Sequence, residues 1–107
     1  MMRVATIGEL ADGDIKPIEV QGVQLVLCRV GDEYFATQRK CLHQGGDLTE
    51  GIVSSGRIVC AVHGWRFDLR TGVHELSPMT CLRTYPTRIE GNSIFVSPTP
   101  NPMPIPD

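Results

Sequence analysis

CLHQGGDLTEGIVSSGRIVCAVHGWRFDLRTGVHELSPMTC, residues 41–81, is the stretch that decides what kind of chain this is. It contains all three histidines and three of the four cysteines. Its apolar runs shrink to Arg57-Ile58-Val59, and turn signals such as Ser55-Gly56 and Thr71-Gly72 crowd between them. Loops this dense are costly in a small domain unless something ties them down, and the expected tie is a metal. Two pieces carry the donors: Cys41-Leu42-His43 and Cys60-Ala61-Val62-His63, with 16 residues between His43 and Cys60. Each piece brings one sulfur and one imidazole within a single turn, so two loops can converge on one site.

On both sides of this stretch the chain reads as short β-strands. Val4-Ala5-Thr6, Ile18-Glu19-Val20, Val23 to Val30, Tyr34-Phe35-Ala36, Tyr85 to Ile89 and Ile94-Phe95-Val96 are rich in β-branched and aromatic residues. Gln21-Gly22, Gly31-Asp32 and Gly91-Asn92 predict hairpins, and Asp12-Gly13-Asp14 a further turn. Helical periodicity does not extend beyond one turn, at Ile7 to Ala11. The expected fold is all-β, an antiparallel β-sandwich base with a loop-rich metal-binding part at about residues 41–81. Residues 1–97 form the expected domain. Pro98, Pro100, Pro102, Pro104 and Pro106 make 98–107 an extended tail, because proline lacks the donor that a helix or central strand needs.

Composition narrows the function classes. The 107 residues allow one domain and leave no room for a large substrate pocket with a lid. Twelve acidic and ten basic side chains are interspersed, giving a net charge of -2 and no basic stripe for nucleic acid. No apolar run is long enough to span a membrane, and Met1 to Thr6 does not open a signal peptide. The expectation is a cytoplasmic protein with reduced thiols rather than a disulfide framework. Thiolate and imidazole together suit an iron–sulfur cluster or zinc. Zinc sites usually open with C-x2-4-C and H-x3-5-H pairs, which the mixed pairs here do not match.

The spacing C-x-H-x16-C-x2-H, followed by Gly64, resembles the signature of Rieske-type ferredoxins. Gln44-Gly45-Gly46, Gly64-Trp65-Arg66-Phe67-Asp68, Thr71-Gly72, and Ser77-Pro78 before Cys81-Leu82 extend the likeness, as does the upstream Gly31 to Thr37, over residues 3–97. The resemblance implies one 2Fe–2S cluster, with Cys41 and Cys60 on one iron and His43 and His63 on the other. It implies that the histidines face a partner as the electron port and that the Ser77-Pro78 loop covers the cluster. Two thiolates neutralise the +2 core, so such a site is uncharged when oxidised, and its potential lies above that of a four-cysteine ferredoxin. Imidazole ligation also couples electron to proton, lowering the potential at alkaline pH.

Departures from the high-potential members point to the low end of the range. Their loop disulfide would join positions 46 and 62, which here are Gly46 and Val62. Their sulfur-bonding Ser and Tyr fall at Trp65 and Phe67, which have no hydroxyl. A potential of about -150 mV is expected. The implied role is a one-electron carrier, not an enzyme, between a flavin-dependent NAD(P)H reductase and the terminal oxygenase of an aromatic-ring dioxygenase or monooxygenase system. It would be a monomer forming transient complexes. Rival readings are a small subunit of a nitrite-reductase-type complex and a zinc-stabilised binding module.

Other residues are expected to be structural. Cys28 and Cys81 read as small buried hydrophobes, His74 as a surface or hydrogen-bonding histidine, and Trp65 as core packing or a docking aromatic. Asp47, Glu50 and Asp68 read as solvated surface. Gly45, Gly46 and Gly64 are expected to let backbone N–H groups approach the sulfides.

Overall fold

The structure, a computed structural model, describes residues 1–42, 46–62, 64–77 and 79–103. Among them are ten strands: β1 (Met2–Thr6), β2 (Ile15–Val20), β3 (Val23–Val30), β4 (Glu33–Gln38), β5 (Ile52–Ser54), β6 (Arg57–Val59), β7 (Arg66–Asp68), β8 (Thr84–Tyr85), β9 (Thr87–Glu90) and β10 (Ser93–Val96). One 3-10 turn, Leu48–Glu50, joins them. The strands form three antiparallel sheets, ordered β1-β10-β9, β2-β3-β4-β8 and β5-β6-β7. The all-β expectation is met.

β3 explains how the layers stack. Its sequence, VQLVLCRV, lacks the polar alternation of a strand with one wet face, because both of its faces are buried. Leu25 and Leu27 enter a core with Ile18, Val20, Tyr34, Tyr85, Ile94 and Val96. Val26 and Cys28 point the other way, into a second core with Leu48, Ile58, Phe67, Leu69, Leu82 and the two loop cysteines, Cys41 and Cys60. The four-stranded sheet is therefore the middle layer. The first core makes the sandwich base, and the second seats the loop-bearing sheet on it.

All three predicted hairpins form. Val20 pairs with Val23 across Gln21-Gly22, where φ values of 51° and 84° fit the two left-handed positions of a type I′ turn. Gly31-Asp32 and Gly91-Asn92 also make two-residue loops, and Ser55-Gly56 adds a fourth between β5 and β6. Two expectations need correction. Ile7 to Ala11 is not helical; it is a turn that Glu9 holds by accepting from the Thr6 N–H and hydroxyl and from Lys16. The run Tyr85 to Ile89 is not one strand, because Pro86 separates β8 of the middle sheet from β9 of the outer one. The sequence also gave too little weight to β5 and β7, three-residue strands that persist because β6 pairs with both.

Leu25 has no solvent exposure, so Leu25→Ala should cost about 2–5 kcal/mol in a denaturant titration. Ile89, on the outer sheet and 43% exposed, is the contrast: Ile89→Ala should stay within roughly 1 kcal/mol. Equal losses would contradict the assignment of these faces.

Candidate metal centre

The two cysteine loops are closed in the same way. Lys40 bridges to Asp47, and the Cys41 N–H donates to the Gly46 carbonyl at 2.6 Å. Val59 pairs with Arg66, and the Cys60 N–H donates to the Trp65 carbonyl at 2.8 Å. Each loop is thus six residues long, 41–46 and 60–65, with its cysteine in the first position. Cys41 and Cys60 are buried at the loop bases against the second core, whereas Leu42, Ala61 and Gly64 are exposed.

Gly46 shows how closely the loops approach. A Cβ added there would lie 2.9 Å from Val62 Cγ2 and 3.2 Å from Cys60 Sγ. A side chain at this position would press on the Val62 side chain and the Cys60 sulfur. Positions 46 and 62, where the high-potential relatives would carry a bridge, are therefore neighbours joined here by contact alone. At Gly64 the N–H donates to the Cys60 carbonyl at 3.1 Å, and a φ of 68° makes it a turn residue.

His43 and His63 lie outside the described residues, as do Gln44, Gly45 and Pro78. Among the described residues no group of three or more metal-ligating side chains gathers, so the structure locates the two predicted thiolates only. No disulfide joins any of the four cysteines. Two soft sulfur donors, buried at the bases of matched loops that meet at Gly46, fit an iron–sulfur group.

The surroundings contain roles that the sequence reading missed. Asp47 is no mere solvated residue. Its carboxylate accepts from the Arg39 guanidinium at 3.0 Å and caps the 3-10 turn through the Thr49 N–H and hydroxyl. The Arg39 hydrogen bond, then those from Thr49, hold this carboxyl well below the usual carboxylate range. Asp68 similarly accepts from the N–H groups of Arg70 and Thr71. The Asp-x-Thr spacing at 47–49 was a legible sign of such a cap. Trp65 packs on the second core as expected, and Phe67 is fully buried there. His74 is buried rather than on the surface, although its hydrogen-bonding reading holds: Nδ1 accepts from the Leu76 N–H.

With this geometry in view, comparison with known proteins is specific. Residues 1–86 match the Rieske [2Fe-2S] domain. The chain belongs to the Rieske family. It is 34% identical over 89 residues, 82% of this chain and 86% of the relative, to the ferredoxin component of the naphthalene 1,2-dioxygenase system of Pseudomonas aeruginosa. Its fold is similar to the ferredoxin of carbazole 1,9a-dioxygenase from Nocardioides aromaticivorans IC177, with a TM-score of 0.85, 33% identity, and coverage of 92% of this chain and 97% of that one. It is also similar to a chain in a complex of reduced oxygenase and oxidised ferredoxin of carbazole 1,9a-dioxygenase, with a TM-score of 0.86, 26% identity and 94% of each chain covered. As a Rieske ferredoxin the chain carries one 2Fe–2S cluster and serves electron transfer, not catalysis.

Two outcomes follow from the loop geometry. Gly46→Ala should lower the iron and sulfide content of the purified protein, with strand content by circular dichroism retained; full cluster loading would contradict the close approach. The low pKa of Asp47 contributes stability above the unfolded carboxyl value of about 4, and that stability is lost as pH falls through the folded value. Asp47→Asn should therefore be less stable than the parent at pH 7, with the gap closing in acid. An unchanged gap in acid would separate Asp47 from this linkage.

Proposed function

We propose that this ferredoxin takes one electron from a flavin-dependent NAD(P)H reductase and delivers it to the terminal oxygenase of an aromatic-ring dioxygenase or monooxygenase system. The observation carrying this reading is the pair of matched six-residue loops, with Cys41 and Cys60 buried at their bases and Leu42, Ala61 and Gly64 exposed beside them. Cys41 and Cys60 would hold one iron of the cluster and His43 and His63 the other. The bound cluster supplies a one-electron couple. The chain's own residues fix the two thiolates, exclude water from them through Leu48, Ile58 and Phe67, and leave Leu42, Ala61 and Gly64 open to a partner.

Several features support the finer assignments. A related ferredoxin occurs in complex with its oxygenase, which favours the oxygenase as electron acceptor. Transient, weak association of a monomer suits a carrier that must leave after each transfer. Trp65 and Phe67 offer no hydroxyl to sulfur, so the reduced state gains less hydrogen bonding and the potential lies near -150 mV, at the low end of the Rieske range. Residues 1–97 form the domain and 98–107 the tail, which turns back as far as Asn101, where the N–H donates to the Thr84 carbonyl. The proposed location is the cytoplasm, where the thiols stay reduced.

The purified protein should be red-brown, with a Rieske-type EPR signal on reduction. His63→Ala should abolish that signal; its survival would show the ligand assignment to be wrong. A colourless protein containing zinc would overturn the redox role. A midpoint above roughly +100 mV would overturn the low-potential assignment.

A further inference from the structure

His74 is the one histidine among the described residues, and electron carriage as set out above gives it no task. It follows β7 after the tight turn at Thr71-Gly72, and its backbone bridges to Phe67. The ring is buried, with 6% exposure. Nδ1 accepts from the Leu76 N–H at 3.1 Å, so in this neutral ring the hydrogen sits on Nε2. Nε2 is itself buried and has no hydrogen-bond partner among the described residues. Leaving a buried donor unpaired is costly, and leucine or phenylalanine at this position would avoid that cost.

The neighbours suggest what offsets that cost. On one side stands Trp65, edge-on with centroids 4.4 Å apart, and Trp65 closes the second cysteine loop through its carbonyl. Phe67 of the second core lies 5.2 Å away on the same ring. Beyond His74 run Glu75, Leu76 and Ser77, which lead into the Ser77-Pro78 loop that the resemblance places over the cluster. This segment is closed by the Val73–Cys81 bridge and the His74 N–H to Thr80 carbonyl bond. Leu76 and Met79 in this segment are 86% and 70% exposed, so their side chains contribute little packing to anchor it. His74 thus touches the cysteine loop through its ring and the covering loop through Nδ1.

We propose that His74 is a positioning residue for the redox site, clamping the turn at residues 75–77 to Trp65 and so fixing how far the cluster is covered. This rests on the ligand assignment above, which His63→Ala tests separately. The ring supplies two functions that substitutions can divide. His74→Phe keeps an aromatic ring against Trp65 but removes the acceptor. His74→Asn restores an acceptor near the Nδ1 position without the ring.

The test uses the loaded protein and two readouts. The first is amide exchange at Leu76, resolved by fragmentation mass spectrometry, which iron does not disturb. Leu76 should be protected in the parent despite its exposed side chain. His74→Phe should accelerate exchange there roughly five- to tenfold, the loss of one hydrogen bond, and His74→Asn should restore at least half of the protection on a logarithmic scale. The second is the midpoint potential, which should shift in His74→Phe and move back towards the parent value in His74→Asn. An unprotected Leu76 amide in the parent overturns the proposal whatever the variants do. So does a His74→Phe protein with parental exchange and potential. A Rieske EPR signal that is normal in the parent and lost in His63→Ala would show that such a failure concerns His74 alone.

Discussion

Burial of β3 on both faces is the constraint on which the rest of the molecule depends. A strand that buries Leu25 and Leu27 on one side and Val26 and Cys28 on the other must be covered twice. Sheet β1-β10-β9 supplies one cover from the chain ends. The second cover is small: β5, β6 and β7 are three residues each, and Ile58 and Phe67 from them share the core with Leu48, Leu69 and Leu82 from the flanking loops. The cysteines join that same core. The two candidate thiolates and the second hydrophobic core are therefore one structure.

This union explains the matched loop closures. A loop that carries a thiolate into an apolar core must pair its backbone before it leaves the sheet, since unpaired buried N–H groups are costly. Cys41 and Cys60 both solve this by donating to a carbonyl five residues on. The ends are secured differently. The first loop leans on the Arg39–Asp47 pair and the capped turn that follows it, the second on the β6–β7 ladder and on Trp65. Gly46 is small because the two loops meet there.

Much of this was legible in the sequence. Val23 to Val30 and Arg57 to Val59 coincide with strands because β-branched runs bounded by glycine turns leave few alternatives, and the cysteine spacing indicated paired loops. What was not legible depended on long-range contact. Nothing local marks Pro86 as the crossing point between two sheets rather than a break within one. His74 looked like a surface residue because its burial is imposed by Trp65 and Phe67, which approach only after β7 pairs with β6. Asp47 was undervalued because Arg39, its partner, lies eight positions away across the cysteine loop.

The four cysteines show how the fold sorts identical side chains. Cys28 shares the second core with Cys41 and Cys60, yet it sits on a strand, and burial pushes its thiol up to about 12. A thiol that stays protonated at any physiological pH is a poor ligand. Burial also raises the pKa of Cys81, and its S–H points at the Thr71 and Leu82 carbonyls. Both sulfurs serve as packing atoms, and that of Cys81 also as a weak donor. Cys41 and Cys60 differ in position: each begins a loop whose next residue is exposed, so buried sulfur and accessible surface lie one residue apart. A surface electron-transfer site needs that adjacency, and only those two of the four cysteines have it.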